Sequence, residues 1–256
     1  MFSKIKTLFW YLRQPKGLTL VWMLLKRKTV YLSRENTRAE AEKWCKENAA
    51  DTGSALHQIF PEIKTPVLNL ESAFPQEFSY AHEKVKNTPY KMGGQGNIIL
   101  LYNLCEHITA KYVIETGVAY GWSSLSILLS LAKRPGTSLT STDMPYAKMG
   151  NEDYVGIVVP PELKSHWTLL RESDVSGLPK ALKNQPYLDL VHYDSDKSYL
   201  GRMTSYPALY DKLRTGGVFI SDDINDNLAF KHFCEQHQKR PVITQFENKY
   251  VGIFIK

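Results

Sequence analysis

The sequence predicts a doubly wound α/β fold with a mostly parallel sheet, a C-terminal antiparallel β-hairpin and a helical N-terminal extension. From Lys111 onward, short β-rich runs alternate with helical segments, which is typical of a parallel sheet covered on both faces. One of these runs leads directly into a glycine loop within Tyr112–Ser124. The last two β-rich runs, Pro241–Phe246 and Tyr250–Ile255, are too close for a helical crossover, so they must pair antiparallel.

Length and composition restrict the possible classes of protein. A chain of 256 residues is long enough for one large α/β domain and an appendage. Its three widely spaced cysteines build neither a disulfide framework nor a zinc site, which favours the reducing cytoplasm. The net charge of +6 is modest and no nucleic-acid motif occurs, so we expect no nucleic-acid partner. The sequence does not determine the oligomeric state.

The N-terminal segment, Met1–Arg34, is basic and rich in aromatic residues, with no acidic residue before Glu35. Its longest uncharged apolar run, Gly17–Leu25, is far shorter than the roughly 20 residues that span a bilayer. It also lacks a signal-peptide cleavage pattern. Two interpretations stay open: a surface that touches the inner face of an anionic membrane or covers a substrate site, and helices that pack on the main domain with a solvated basic face.

The following segment predicts one helix and then a linker. Thr37–Ala50 has the composition of a solvent-facing helix, with Thr37 and Glu40 at the spacing of a capping box and Gly53 just beyond its end. Prolines punctuate Pro61–Met92, which has no sustained periodicity. We therefore expect a helical, basic extension and linker over residues 1–73, and a main domain over residues 74–256. The glycines at 93–96 form either a flexible connection or a cover over a ligand.

The elements of the main domain follow in order. We expect strands at 112–116, 138–143, 166–171, 188–193 and 218–221, and helices at 98–108, 123–133, about 178–184 and about 199–214. Pro207 predicts a break or a late start in the last helix. Because ligands of such sheets bind beyond the carboxyl ends of the strands, the residues that follow each strand are the candidate site residues.

The glycine loop is a candidate cofactor cradle, since glycines allow a sharp turn and the next helix begins with unpaired N–H groups. It does not match the dinucleotide pattern G-x-G-x-x-G. It resembles motif I of the class I S-adenosylmethionine-dependent methyltransferases, acidic-x-G-x-G-x-G, with alanine at the middle glycine. The resemblance implies a seven-stranded Rossmann-like methyltransferase fold. The predicted cofactor contacts in this loop are Glu115, Gly117, Ala119, Tyr120, Gly121 and Ser123.

Acidic residues after the next two strands extend the predicted cofactor site. Asp143 ends the second strand of the main domain, at about the distance from the glycine loop where a carboxylate meets a ribose in nucleotide-binding sheets. The methyltransferase resemblance implies that Asp174 faces the adenine edge, with Ser173 beside it.

Three carboxylates form a second candidate cluster. Asp194 ends the fourth strand of the main domain, and Asp222 and Asp223 end the fifth, which is its neighbour in this topology. Carboxylates that converge repel one another unless a cation neutralises them. Hard oxygen ligands of this kind suit Mg²⁺ or another divalent metal.

The pattern Asp194-x-x-Lys197 followed by Asp222-Asp223 resembles the metal-dependent O-methyltransferases of the catechol and caffeoyl-CoA type. This resemblance implies that Asp194, Asp222 and Asp223 hold a metal that lowers the pKa of the acceptor hydroxyl. Lys197 then removes the hydroxyl proton, which makes Lys197 and Asp194 the predicted catalytic residues.

The span from about Phe74 to Lys256 also resembles bacterial cephalosporin hydroxylase-like and rhamnosyl O-methyltransferase-like proteins. This second resemblance implies a hydroxyl acceptor on a sugar, a glycan or a natural product. Many of those relatives carry histidine where Lys197 stands, so the identity of the base stays open.

Two other functions remain open from the sequence. A nicotinamide-linked oxidoreductase would need a phosphate-binding glycine set that this loop lacks. A non-catalytic accessory protein, associated with glycans or a membrane, would keep the fold but would leave either the metal site or the cofactor site unfilled.

Overall fold

The computed structural model describes residues 2–63, 65–147 and 149–256. Met1, Lys64 and Lys148 lie outside the described residues, as do the side chains of residues 2–5. Lys4, part of the predicted basic segment, is among these side chains.

The described residues form eight strands and twelve α-helices. The strands are β1 (Ala49–Ala50), β2 (Tyr112–Thr116), β3 (Ser138–Thr142), β4 (Trp167–Leu170), β5 (Leu188–Tyr193), β6 (Leu213–Ser221), β7 (Val242–Phe246) and β8 (Lys249–Ile255). The helices are α1 (Phe2–Leu12), α2 (Gly17–Arg27), α3 (Leu32–Glu35), α4 (Arg38–Asn48), α5 (Thr52–Ile59), α6 (Leu70–Ala73), α7 (Pro75–Lys86), α8 (Ile98–His107), α9 (Trp122–Leu131), α10 (Asp174–Lys183), α11 (Tyr199–Lys212) and α12 (Ala229–Gln236).

All eight strands join one sheet in the order β1-β7-β8-β6-β5-β2-β3-β4. β8 runs antiparallel to β6 and β7, and the other pairs are parallel. The predicted doubly wound, mostly parallel sheet with its C-terminal hairpin is therefore confirmed. It has one strand more than the predicted seven, because β1 pairs with the edge strand β7 through Ala49 and Ala50.

The central strands are buried because helices cover both faces of the sheet. Every residue of β5 is buried. Side chains alternate between the faces of a strand, and successive residues accordingly enter different core clusters: Val113 and Leu190 join one, Ile114 and Val191 the other. This arrangement fixes the carboxyl ends of β2, β3 and β5 at one edge, where the site forms.

The N-terminal part of the chain differs most from the prediction. The Thr37 hydroxyl donates to the Arg34 carbonyl and accepts from the Leu228 backbone N–H, so no capping box forms. Gly53 lies within α5 instead of ending a helix. The stretch predicted to be a linker contains α6 and α7, whose buried Phe78 anchors α7 in the core. Tertiary burial, which local periodicity does not reveal, stabilises these short helices.

Two helices of the main domain also differ from the prediction. α11 continues through Pro207, because the flanking Tyr206 and Leu209 are fully buried against the sheet and offset the lost backbone hydrogen bond. α10 begins at Asp174 and not near Leu178, so Asp174 occupies the first turn of a helix.

The first helices lie over the edge of the sheet that carries the strand ends. α1 packs on α2, and α2 contacts α3 and α11. None of the helices within the described ranges has the length and apolar character needed to cross a membrane.

Candidate functional site

A cavity of about 550 Å³ lies at the carboxyl ends of β2, β3 and β5. The glycine loop, Asp143 and Asp194 line it from the sheet, and α2 lines it from the opposite side. Its volume falls in the range of small-molecule sites.

The glycine loop approaches the end of β5 very closely. Gly117 has φ 81°, and a Cβ there would overlap the carbonyl oxygen of Asp194. Ala119, at the position of the missing glycine, still adopts a left-handed φ of 50°, which is strained for alanine. Both residues line the cavity with Ser123. Gly117, Ala119 and Ser123 therefore lie on the cavity wall, where residues predicted to contact the cofactor should lie.

Three predicted cofactor residues lie behind the loop and not on the cavity wall. Glu115 is fully buried, and its Oε2 accepts hydrogen bonds from Ser124 Oγ at 2.5 Å and Ser141 Oγ at 2.7 Å. The Tyr120 hydroxyl donates to the Tyr90 carbonyl. Gly121 is the N-cap of α9. Glu115 is buried within β2, and the turn of the glycine loop directs Tyr120 into the protein. These residues therefore hold the loop in its conformation.

Asp143 lines the cavity at the end of β3 and is only 4% exposed. Its Oδ1 accepts from the Val118 backbone N–H at 3.0 Å, and its Oδ2 pairs with Arg171. Burial raises the pKa of Asp143, and the loop amide and Arg171 oppose that rise. The carboxylate thus joins the glycine loop to β4. Its contact with a ribose stays a prediction, and its partner Arg171 was not foreseen from the sequence.

Asp174 and Ser173 also line the cavity, at the beginning of α10. Asp174 accepts hydrogen bonds from Thr142 Oγ1 at 3.3 Å and from Ser195 Oγ. Burial raises the pKa of Asp174 to about 6. The predicted pair is therefore brought to the same cavity as Asp143.

Asp194 and Lys197 form the polar centre of the cavity. Asp194 exposes 30% of its side chain, and its Oδ1 lies 3.4 Å from Lys197 Nζ. Burial and the neighbouring Asp222 raise the pKa of Asp194 to about 6. Burial lowers the pKa of Lys197, but Asp194 and Asp223 outweigh it and raise that pKa well above its ordinary value. These two carboxylates favour the protonated form of Lys197, and its role as a base stays a prediction.

Asp222 and Asp223 turn to different cationic partners. Asp222 Oδ1 lies 3.4 Å from Nε2 of the buried His192, whose Nδ1 lies 3.5 Å from Glu115 Oε1. Burial lowers the pKa of His192, but these two carboxylates raise it to about 10. Asp223 pairs with Lys197 and has Lys249 Nζ at 3.7 Å. Burial would raise the pKa of Asp223, but the lysines lower it.

The three carboxylates predicted as metal ligands lie beside lysine and histidine side chains. Across residues 2–63, 65–147 and 149–256, no group of three His, Cys, Asp or Glu side chains is placed to hold a metal ion. Asp223 adopts a left-handed φ of 51°, and its carboxylate lies beside Lys197 and Lys249. A metal held by Asp194, Asp222 and Asp223 stays a prediction.

The wall opposite the sheet comes from α2 and from residues 92–97, two segments for which a place over the site was one of the open interpretations. Leu20, Met23, Leu24 and Arg27 of α2 line the cavity, and Arg27 pairs with Asp196. Their spacing along one helical face was the available signal. Residues 92–97 also line the cavity, as expected if their glycines cover a ligand.

Comparisons with known proteins point to one class of enzyme. Residues 114–224 match the family model described as a methyltransferase domain. No curated protein matches the chain. Among solved structures, the chain is similar to the O-methyltransferase TomG of Streptomyces achromogenes, which is involved in tomaymycin synthesis and was solved with SAM. The alignment has a TM-score of 0.55 and 15% sequence identity, and it covers 73% of this chain and 94% of TomG.

Two further structures give similar alignments. An O-methyltransferase from Bacillus cereus in complex with SAH has a TM-score of 0.53 and 13% identity, covering 79% of this chain and 97% of the other. A methyltransferase from Geobacter sulfurreducens has a TM-score of 0.54 and 13% identity, covering 80% and 96%. Residues 114–224 therefore match a methyltransferase domain, and the chain shares the fold of these methyltransferase structures, as the sequence predicted.

Proposed function

We propose that the chain transfers the methyl group of S-adenosylmethionine to a hydroxyl of a sugar, a glycan or a natural-product small molecule. One observation carries the proposal: the glycine loop with Asp143 and Asp174 lines the same cavity as Asp194. A cofactor cradle and a candidate base therefore line a single space.

The cofactor side of the cavity fits S-adenosylmethionine in shape and charge. Backbone at Gly117 and Ala119 is presented without large side chains, and Asp143 and Asp174 supply carboxylates for hydroxyl and amine donors. Five aspartates line the cavity, which suits a ligand with a positively charged sulfur; they are Asp143, Asp174, Asp194, Asp196 and Asp222. When bound, S-adenosylmethionine supplies a methyl group activated by that sulfur.

Asp194 is the residue best placed to remove the acceptor proton. Its side chain is partly exposed to the cavity, and its pKa of about 6 leaves it ionised but basic at neutral pH. The Asp194 carboxylate would accept the hydroxyl proton, while S-adenosylmethionine held by the glycine loop, Asp143 and Asp174 would supply the methyl group and leave as S-adenosylhomocysteine. Lys197, 3.4 Å away, stabilises the negative charge on Asp194 before the proton arrives.

A divalent metal is the second candidate for the positive charge at this centre. It is favoured by the Asp194-x-x-Lys197 and Asp222-Asp223 pattern and by the buried Asp194 Oδ1, which has no hydrogen-bond partner among the described residues. Treatment with a chelator distinguishes a bound metal from protein side chains as the source of this positive charge. If Lys197 and His192 supply the charge, turnover persists after dialysis against EDTA. Loss of turnover that Mg²⁺ restores would instead support the metal.

Calorimetric titration with S-adenosylhomocysteine, with NADH as control, tests the cofactor assignment. We expect micromolar binding of S-adenosylhomocysteine and none of NADH. Incubation with S-adenosylmethionine and a panel of sugars and glycosides, followed by mass spectrometry, then tests the acceptor class through a gain of one methyl group. Failure to bind S-adenosylhomocysteine, or a preference for NADH, would overturn the proposal.

A further inference from the structure

The outer face of the first three helices exposes large apolar side chains. On α2, Leu18, Trp22 and Leu25 are 79%, 55% and 60% exposed, and their spacing places them on one face of the helix. The opposite face of α2 lines the cavity. We define the outer face by its exposed apolar residues, Leu8, Phe9, Leu12, Leu18, Trp22, Leu25, Val30 and Leu32. Isolated exposed apolar residues are ordinary, but eight of them between residues 8 and 32, three on one face of α2, are typical of an interaction surface.

The charges around the outer face have one sign. Lys6, Arg13, Lys28 and Arg34 are exposed. The ammonium of Lys26 lies 3.5 Å from the centre of the Trp22 ring. The sequence has no acidic residue before Glu35, so no side-chain carboxylate within this segment offsets these charges. The outer face therefore combines apolar and cationic groups.

We propose that the outer face docks on the surface of an anionic membrane. Leucine, phenylalanine and tryptophan side chains enter the boundary between headgroups and acyl chains, while lysine and arginine contact anionic headgroups. The helices lie along the surface, since none of the described helices has the length and apolar character to cross it.

Charge distinguishes a membrane from a second copy of the chain. A two-fold dimer through this face would bring the same cationic side chains of both copies together, and like charges at short distance repel. An anionic bilayer satisfies both the apolar and the cationic groups. Because α2 separates this face from the cavity, docking would place the α2 wall of the cavity at the membrane surface.

Sedimentation of the full chain with lipid vesicles tests the proposal without requiring methyl transfer. We expect binding to vesicles of phosphatidylcholine mixed with phosphatidylglycerol to exceed binding to pure phosphatidylcholine by roughly tenfold or more, and to weaken as salt rises. Equal binding to both, or none, overturns the proposal.

Substitutions on the outer face identify the surface responsible. The triple variant Leu18→Ser/Trp22→Ser/Leu25→Ser and the charge variant Lys6→Glu/Arg13→Glu should each lose roughly tenfold in vesicle binding. Matched controls elsewhere on the surface, Leu68→Ser and Lys46→Glu/Lys183→Glu, should bind like the parent chain. Undiminished binding by both outer-face variants overturns the proposal.

Two accompanying measurements separate membrane docking from loss of the fold and from self-association. S-adenosylhomocysteine affinity shows whether each variant keeps its cavity, because none of the substituted residues lines it. Size-exclusion chromatography shows whether the chain self-associates. A parent chain that is dimeric without binding vesicles, and becomes monomeric in the triple variant, would assign the face to a dimer and overturn membrane docking.

Discussion

Asp194 and Lys197 are the residues on which the proposed chemistry depends. They lie three positions apart after β5, and the lysine ammonium contacts both Asp194 and Asp223. The sequence indicated both residues but favoured the lysine as base. The proposed mechanism exchanges the roles, because Asp194 and Asp223 favour the protonated form of Lys197 while burial and Asp222 raise the pKa of Asp194.

Replacing Asp194 with asparagine should remove the general base and leave the cavity nearly unchanged in shape. We expect kcat to fall by roughly 10²- to 10⁴-fold, with S-adenosylhomocysteine affinity within about threefold of the parent chain, since the carboxamide has the same size. Steady-state kinetics and calorimetry measure the two quantities. Asp211→Asn, exposed on α11, is the control, and near-parental turnover in the Asp194 variant would refute the assignment.

The pH dependence of kcat should follow the ionisation of Asp194. Only the ionised carboxylate accepts a proton, so kcat should rise with pH and level off above about 6, the pKa of Asp194. Lys197 lowers the pKa of Asp194, so Lys197→Met should move this rise to higher pH by about one pH unit. A profile that does not move would mean that another group controls the reaction.

Asp174 should destabilise the folded protein at neutral pH. Its pKa rises from 3.8 to about 6 on folding, so the folded state binds more protons between these values and stability falls as pH rises through about 6. Asp174→Asn should therefore add about 1 to 3 kcal/mol to the free energy of unfolding at pH 7.5 and little at pH 4. Urea unfolding at both pH values measures this. Exposed Asp153→Asn should show no such difference.

At the scale of elements, α2 serves as the wall of the cavity opposite the sheet. Its inner face contacts the cavity, and the pair between Arg27 and Asp196 joins it to the loop after β5. The Lys16 ammonium also donates to the Val175 carbonyl at 3.1 Å, which ties the beginning of α2 to α10. These polar contacts are few, so we infer that α2 opens more readily than the helices packed on the sheet.

Removing the guanidinium of Arg27 should loosen this wall. The pair is partly exposed, with side-chain exposures of 23% and 32%, so it is worth about 0.5 to 1 kcal/mol. We expect Arg27→Ala to weaken S-adenosylhomocysteine affinity by roughly twofold to fivefold and to speed hydrogen exchange in α2. Lys28→Ala, one residue further on, is the matched control. Unchanged affinity and exchange would show that Arg27 does not hold α2 closed.

At the scale of the whole molecule, the segment predicted as extension and linker is built into the main fold. β1 adds to the sheet beside β7, and α5 packs against β7 and α8. Ala55 and Leu56 of α5 are fully buried. The boundary between residues 73 and 74 stays a prediction, because continuity of packing alone does not define an independently folding unit.

Hydrogen exchange measured by mass spectrometry can locate the cooperative unit. We expect amides of α5 to exchange as slowly as those of the central strands, because they open only with the core, and amides of α1 and α2 to exchange faster. The central strand β5 is the internal reference. Fast exchange in α5 together with α1 would instead place the boundary where the sequence predicted it.

The fold class, and the edge of the sheet where the proposed site lies, follow from local patterns in the sequence. Alternating periodicity predicted the sheet, the short connection before β8 required an antiparallel hairpin, and the spacing of Gly117 and Gly121 indicated the cofactor loop. These signals are local: each is carried by a few consecutive residues whose conformations are restricted. Asp143 and Asp194 followed because parallel strands end at one edge of a sheet, and Asp174 was implied by the methyltransferase resemblance.

Which side chains line the cavity, and which charged side chains form ion pairs there, depends on the tertiary structure. The partners of the carboxylates come from distant parts of the chain: Arg171 for Asp143, Lys249 for Asp223, and Arg27 for Asp196. No local spacing encodes such pairs, since they depend on how α2, β4 and β8 pack around the strand ends. The same holds for β1, where two alanines form a strand only because β7 offers an edge.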